Sequence, residues 1–257
     1  MPHQPSELAQ KLIAYLDCPC EVFAPMQDDD PILEAFAAAK KEGEKQGYFP
    51  ILMPADEIWI DCLWQQAQQL PGEGTDLERL RRRRQALLSA PQPDGKAYLE
   101  EMMTIRRREL AEKGMEWTEF MATVEGGETI EGFSVYWNPE TNRTDETVLA
   151  KIPVKYPWEI FAWMPMEDTP FFPTILQKMA IARHWYHQYG AVAAAFNVES
   201  MEFAVEHPVA DRQQAIQLAQ EQYAFCPERV EQCTESGTLG ELIDSLLHSK
   251  TWFFWWQ

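Results

Sequence analysis

The sequence has few basic residues, and this shortage limits the partners that the protein can bind. Its 257 residues include 22 Lys and Arg against 41 Asp and Glu, a formal net charge of −19. Binding to nucleic acid or to an anionic membrane surface requires clustered positive charge. The composition therefore argues against both, and it leaves two interpretations of the acidic surplus, which are solubility and a basic partner.

Long apolar runs and known catalytic motifs are also missing from the sequence. No run approaches the ~18 apolar residues that a membrane span needs, and the polar start has no signal-peptide pattern. No GxSxG, P-loop, GxGxxG or HExxH motif occurs. The cysteines number five, which is odd, so we expect a reduced, cytoplasmic protein that uses no cofactor.

Histidines and cysteines are present in pairs, but their spacing does not favour a metal site. His184 and His187 have a spacing that can chelate a metal on a helix, yet a helical wheel places both toward solvent, off the apolar stripe. Cys18 and Cys20 are separated by one residue instead of the two typical of zinc sites. A redox or metal role for this pair would require Cys226 beside it. We therefore expect structural thiols and no bound metal.

The alternation of apolar patterns predicts an α/β (α+β) fold with a mixed sheet flanked by helices. Residues 1–150 form an N-terminal α/β region with a helical hairpin inserted at 75–114. Strands at 128–137 and 147–154 are predicted to pair as a β-hairpin. Residues 151–257 form a C-terminal domain, packed as one body with the N-terminal region, in a ferredoxin-like β-α-β-β-α-α-β order.

The C-terminal order depends on the positions of five of its elements. Apolar runs predict strands at 159–164, 191–197 and 201–206. Apolar residues three and four apart predict a helix over 173–189. The last strand, 252–256, is apolar on both faces, so we expect it to be central in its sheet or to present one face as a binding surface.

Arginine runs at 81–84 and 106–108 lie on the predicted helical hairpin. Such runs fit either a nucleic-acid patch or solvated helix faces paired with acids elsewhere on the protein. Nothing aromatic is interleaved with them, as a single-strand binder would need. We therefore expect the second arrangement and no nucleic-acid binding.

Aromatic residues supply the remaining functional signal. Large aromatic side chains are more often core residues, but they also line grooves for peptides and other ligands. The candidate binding residues are Trp158, Trp163, Arg183, Trp185, Glu202, Trp252 and Trp255. No catalytic residue is predicted. The leading hypothesis is a non-catalytic binding or interaction protein that neutralises a basic partner. The alternative is a hydrolytic or metal-assisted enzyme with a site near Trp158, His184 and Glu202.

Several of these segments together resemble one protein family. They are PWEIFAW, the RHW at 183–185, the YGA at 189–191, the strand of Glu202, EQYAFCPE at 221–228 and WFFWW at 252–256. The resemblance is to a bacterial family known only as a domain of unknown function, number 4253. It covers 151–257 and, less closely, 31–70. The sequence departs from the family pattern at 166–170 and at Gln257. The family implies no established activity or cofactor.

Overall fold

The structure is a computed structural model that describes residues 3–122, 127–164 and 173–256. Its elements in chain order are α1 (Glu7–Leu16), β1 (Cys20–Phe23), α2 (Asp30–Gln46), β2 (Phe49–Pro54), α3 (Glu57–Gln69), α4 (Asp76–Ser89), α5 (Gly95–Glu112), α6 (Trp117–Phe120), β3 (Trp137–Asn138), β4 (Arg143–Thr144), β5 (Thr147–Ile152), a 3₁₀ helix (Pro157–Ala162), α7 (Ile175–Tyr189), β6 (Val192–Phe196), β7 (Ser200–Ala204), α8 (Arg212–Phe225), α9 (Glu228–Glu231), α10 (Leu239–Leu246) and β8 (Thr251–Trp255). The predicted class of helices with a mixed sheet is confirmed. No helix in the described ranges is long and apolar enough to cross a membrane.

The chain forms two compact units that are interleaved in sequence. The first comprises the described residues of Met1–Pro91, Phe133–Met166 and Ala193–Val198. The second comprises those of Gln92–Gly132, Glu167–Val192 and Glu199–Gln257. These units do not coincide with a division at residue 150, and that division stays a prediction.

The first unit is built on four strands in the order β1-β5-β2-β6. β5 is antiparallel to both β1 and β2, whereas β6 runs parallel to β2. β2 carries the apolar run FPILMP and is buried on both faces, as expected for an interior strand. α1 begins where the Ser6 side chain accepts a hydrogen bond from the Ala9 N–H and ends at Asp17 in a left-handed conformation.

The second unit is built on α5, α7, α8 and α10 and on the antiparallel pair β7 and β8. α7 begins with a capping box between Thr174 and Gln177. It ends at Gly190, whose φ of +61° favours glycine. β8 lies at the end of the sheet order, so the alternative that this strand is central in its sheet is wrong. Its side chains alternate as predicted, with Trp252, Phe254 and Trp256 buried.

The predicted strand at 159–164 is wrong, because this segment forms the 3₁₀ helix Pro157–Ala162. Pro157 fixes a helical φ at the first position. The Glu159 carboxylate then accepts hydrogen bonds from the backbone N–H groups of Lys155 and Tyr156. The C-terminal half therefore lacks the first strand of the ferredoxin-like order, although the later helices and strands lie close to their predicted positions.

The predicted hairpin between 128–137 and 147–154 is also wrong. Only the two-residue strand β3 forms in the first segment, and it pairs with β4, while β5 pairs with β1 and β2. The backbone of Ile130 is bonded elsewhere: its N–H donates to Ser249 Oγ, and its carbonyl accepts from Lys250 and Thr251. With these groups already satisfied, the segment has no need of a partner strand.

Both helices predicted at 75–114 form as α4 and α5. Each is part of the unit in which it lies: α4 packs against α3 and the 3₁₀ helix in the first unit, and α5 packs against α7 and α8 in the second. Close packing at the start of α5 requires Gly95, because a Cβ there would lie 2.3 Å from the Ala180 carbonyl oxygen. These helices are core elements of their units.

Candidate functional site

The indole of Trp185 lies at the centre of the aromatic core of the second unit and is fully buried. It stacks on Phe254 with ring centroids 5.6 Å apart. Edge-to-face contacts link it to Phe203, Phe225 and Trp252. Such pairs stabilise a core by about 0.5–1.5 kcal/mol each beyond the area that they bury. The rings are therefore packed on one another as a cluster in the core of this unit.

The other candidate residues of the second unit differ in exposure. Trp252 and Glu202 are buried, and Glu202 lies opposite Phe253 in the β7–β8 register. Trp255 is half-exposed, and its indole N–H donates to Glu199. Arg183 is half-exposed and donates to the Pro93 carbonyl. A binding role for these residues stays a prediction.

Two candidate residues, Trp158 and Trp163, lie in the first unit and are also buried. Trp158 stacks on the half-exposed ring of Tyr156 at 4.7 Å. Trp163 donates its indole N–H to the Leu16 carbonyl, 2.9 Å away, and lies beneath the guanidinium of Arg84. Both tryptophans therefore have clear packing roles, and their part in binding stays a prediction.

A carboxylate in the second unit organises a polar cluster beside the buried Trp185 ring. The Trp185 indole N–H donates to Glu221 Oε2 at 2.9 Å, and the Gln217 amide donates to Oε1 at 3.0 Å. His184 Nε2 lies 3.3 Å from the same Oε2 but is not aligned for a hydrogen bond. Together with burial, the negative charge of Glu221 raises the pKa of Tyr189. This carboxylate is fixed in position on the edge of the core.

The expectation that His184 points to solvent is wrong, whereas His187 is exposed as predicted. The His184 side chain is only 13% exposed. The helical wheel assumed one buried stripe, but α7 buries residues on several sides because α5 also packs against it. His184 therefore faces Glu221 of the second unit. Among the described residues, no group of three or more His, Cys, Asp or Glu is arranged to hold a metal.

Glu221 forms part of the wall of a groove between α5 and α8 with a volume of about 530 Å³. Its apolar lining consists of Leu99, Met103 and Ile216. The polar lining residues are Lys96, Glu100, Thr104, Arg107, Gln213, Gln217 and Gln220. Eight of the eleven lining residues are therefore polar, and they surround a small apolar patch of three side chains.

Both basic residues of the groove are engaged by neighbouring side chains. Lys96 forms an exposed ion pair with Glu100 at 3.7 Å. The Arg107 guanidinium lies 4.2 Å from the centre of the Trp117 ring and donates to the Gln220 amide oxygen. Each of the two cations therefore already has a partner among the lining residues or beside them.

Two arginines of these runs pair with acids, as expected of solvated helix faces. Arg81 pairs with Asp17 through two hydrogen bonds, and Arg106 pairs with Glu109. Arg84 and Arg107 instead contact aromatic rings. Those rings come from distant or later segments, so no interleaved aromatic pattern in the runs themselves could reveal the contacts.

The sequence analysis did not find the groove. Its α5 side follows a helical spacing, with apolar Leu99 and Met103 four residues apart and Lys96, Glu100 and Arg107 on the same face. That stripe is visible in the sequence, but its pairing with α8, more than one hundred residues away, is not. In the sequence, Glu221 has no feature that separates it from the other acidic residues, and its contact with Trp185 appears only in the structure.

Comparison with known families agrees with the sequence resemblance over the C-terminal part of the chain. Residues 148–257 match the model of a family described as Domain of unknown function (DUF4253). The recognition of that family is confirmed over this range, whereas the match does not extend to 31–70. Positions 166–170 and Gln257, where the sequence departs from the family pattern, lie outside the described residues. No curated protein and no solved structure matches the chain.

Proposed function

We propose that the protein is a non-catalytic binding protein whose α5–α8 groove takes a basic, amphipathic segment of a partner protein. The observation that carries the proposal is the groove itself, with its apolar floor of Leu99, Met103 and Ile216 and the fixed carboxylate of Glu221 in its wall. Amphipathic helices bind proteins by laying an apolar face into such a groove between two helices.

Charge favours a basic occupant. The chain carries 41 acidic and 22 basic residues, so its summed field attracts cations over the surface. Within the groove, Lys96 is already paired with Glu100, and Arg107 is held by Trp117 and Gln220. Among the described residues, the hydrogen bonds to the Glu221 carboxylate come from two neutral donors, the Trp185 indole and the Gln217 amide.

The test is the binding of two labelled peptides, measured by fluorescence anisotropy. One peptide carries Leu at helical spacing and Lys elsewhere, and the other carries Glu in place of each Lys. We expect the basic peptide to bind and the acidic one to remain free. Ile216→Lys places a charge on the apolar floor and is expected to weaken binding of the basic peptide about tenfold or more, or about 1.4 kcal/mol.

The matched control is Gln214→Lys, which adds the same charge to the same helix. Gln214 is exposed and does not line the groove. Attraction by the overall field changes equally in both variants, so a difference between them reports on the groove. If the two variants bind the basic peptide equally, or if the wild type binds neither peptide, the proposal is wrong.

A second candidate function, a hydrolytic enzyme, is favoured by one observation. His184 lies 3.3 Å from the Glu221 carboxylate without an aligned hydrogen bond, and the hydrogen bonds of a general base are often poorly aligned until a substrate binds. Hydrolysis of a chromogenic ester or phosphoester that is abolished in His184→Gln and retained in His187→Gln would support this function over simple binding.

We also propose that the protein acts in the cytoplasm of a bacterium. The resemblance is to a bacterial family, and the five cysteines are free thiols, as expected for a reducing compartment. Detection of the protein by antibody in fractionated cells tests this location: the soluble cytoplasmic fraction is the expected result, and recovery from an oxidising compartment would contradict it.

A further inference from the structure

Two thiols lie together in the first unit, between α1 and β1. Both Cys18 and Cys20 are partly exposed. The Cys20 thiol donates to the Cys18 carbonyl oxygen, with the sulfur 3.3 Å away. A backbone hydrogen bond from Lys151 to the Pro19 carbonyl, 2.9 Å long, holds the turn between them. The two cysteines, with one residue between them, therefore lie in one ordered turn at a site that solvent reaches.

A buried guanidinium lies at the end of α1, where it bonds the carbonyl of Leu16, two residues before Cys18. Arg84 is 4% exposed, and it donates to the carbonyls of Tyr15 and Leu16 at the end of α1. In the described part of the chain no carboxylate bonds to Arg84, because Asp17 is held by Arg81. Burial raises the pKa of Tyr15 to about 12, so its phenol stays neutral and does not cancel the charge of Arg84.

The two thiols are distinct in their electrostatics. The hydrogen bond from Cys20, followed by the charge of Arg84 and the Lys151 N–H, lowers the pKa of Cys18 against the opposing effects of burial and of Asp17. The same hydrogen bond and burial raise the pKa of Cys20. A low-pKa thiol next to a second, protonated thiol is the arrangement of an attacking and a resolving cysteine.

We propose that Cys18 and Cys20 form a thiol–disulfide exchange site that takes a low-molecular-weight disulfide, with Cys18 as the nucleophile. The Cys18 thiolate attacks one sulfur of the disulfide, which forms a mixed disulfide and releases one thiolate. Cys20 then loses its proton to solvent and attacks the Cys18 sulfur, which closes the Cys18–Cys20 disulfide and releases the second thiol. The protein dithiol is oxidised as the small disulfide is reduced to two thiols.

A Cys18–Cys20 disulfide would close a small ring, and this explains why it would exchange readily with other thiols. Only Pro19 separates the two cysteines, and disulfides in such short loops are strained and easily reduced. The sequence argument against a redox role assumed that the pair needs Cys226 as a partner. The geometry of Cys18 and Cys20 makes a third cysteine unnecessary.

The test exposes the folded full-length protein to oxidised glutathione and measures intact mass, free thiols and disulfide position. We expect the wild type to lose two hydrogen atoms, with the new bond between residues 18 and 20, and reduced glutathione to reverse the change. Cys20→Ser is expected to stop at glutathione attached to Cys18. Cys18→Ser is expected to react with oxidised glutathione at least about tenfold more slowly than the wild type, because the thiol that remains is protonated.

The control is Cys62→Ser, which removes another partly exposed thiol of the first unit and should react as the wild type does. Arg84→Gln tests the positioning of the charge: folded protein should show slower modification of Cys18 and unchanged modification of Cys62, and Arg84→Lys should restore the rate. The proposal is overturned if oxidised glutathione leaves the wild type unmodified, if glutathione remains on Cys18 in the wild type, or if the bond maps to another cysteine.

Discussion

Replacing Trp185 with Phe tests whether this indole holds the second unit together. The substitution keeps an aromatic ring in the core but removes the indole N–H that donates to Glu221 Oε2 at 2.9 Å. It also shortens the ring that stacks on Phe254 and meets the edges of Phe203, Phe225 and Trp252. Both losses occur at a fully buried position.

The expected cost follows from these two losses. A hydrogen bond to a charged group is worth about 1.5–3 kcal/mol. The smaller ring leaves unfilled space in a packed core, which adds about 1 kcal/mol. We therefore expect Trp185→Phe to lower the free energy of unfolding by about 3 kcal/mol. Urea denaturation followed by far-ultraviolet circular dichroism measures this change without depending on tryptophan emission.

Trp255→Phe is the matched control. Trp255 also donates its indole N–H to a carboxylate, Glu199, at 3.2 Å, but its side chain is half-exposed. Water replaces a lost hydrogen bond at such a position, so we expect a cost of about 1 kcal/mol or less. Equal destabilisation by the two substitutions would refute the view that Trp185 is the centre of the core.

Two further substitutions test local packing and charge. Gly95→Ala places a Cβ 2.3 Å from the Ala180 carbonyl oxygen and should lower the free energy of unfolding by about 1–3 kcal/mol or more. The control is Gly132→Ala, whose Cβ has no atom within 4 Å and which should be almost neutral in the same denaturation assay. Asp17→Asn removes the partner of Arg81, and asparagine tolerates the left-handed backbone at this position. The hydrogen bond from Arg81 holds the pKa of Asp17 below its ordinary value of 3.8. The stabilisation is therefore complete at neutral pH and is lost as pH falls through the lower, folded pKa, so the difference between variant and wild type should vanish in acid; a difference independent of pH would contradict the ion pair.

Local patterns predicted the elements that have their own start and stop signals. α3 begins at the Asp56 cap, and α7 ends at Gly190, as their sequences indicate. The alternation of the last strand predicted that Trp252, Phe254 and Trp256 share one face, and all three are buried. The 3₁₀ helix at Pro157–Ala162 was mistaken for a strand because a short apolar run has no periodicity that distinguishes the two.

The candidate site was less predictable because it is made of contacts between distant segments. Glu221 has no local feature that separates it from the other acids, and only the fold places it beside Trp185 and His184. The wheel for α7 failed at His184 because a helix covered on several sides has no single polar face. Large aromatic side chains are more often core residues than groove residues, and Trp185 and Trp252 are buried in the core.

Hydrogen–deuterium exchange with and without the basic Leu/Lys peptide tests the central claim most directly, because it locates the occupied surface without any substitution. The account predicts added protection of backbone amides in α5 (Gly95–Glu112) and α8 (Arg212–Phe225), the two helices that line the groove. Protection that spreads over other acidic helices such as α2 (Asp30–Gln46), or that leaves α5 and α8 unchanged, would contradict it.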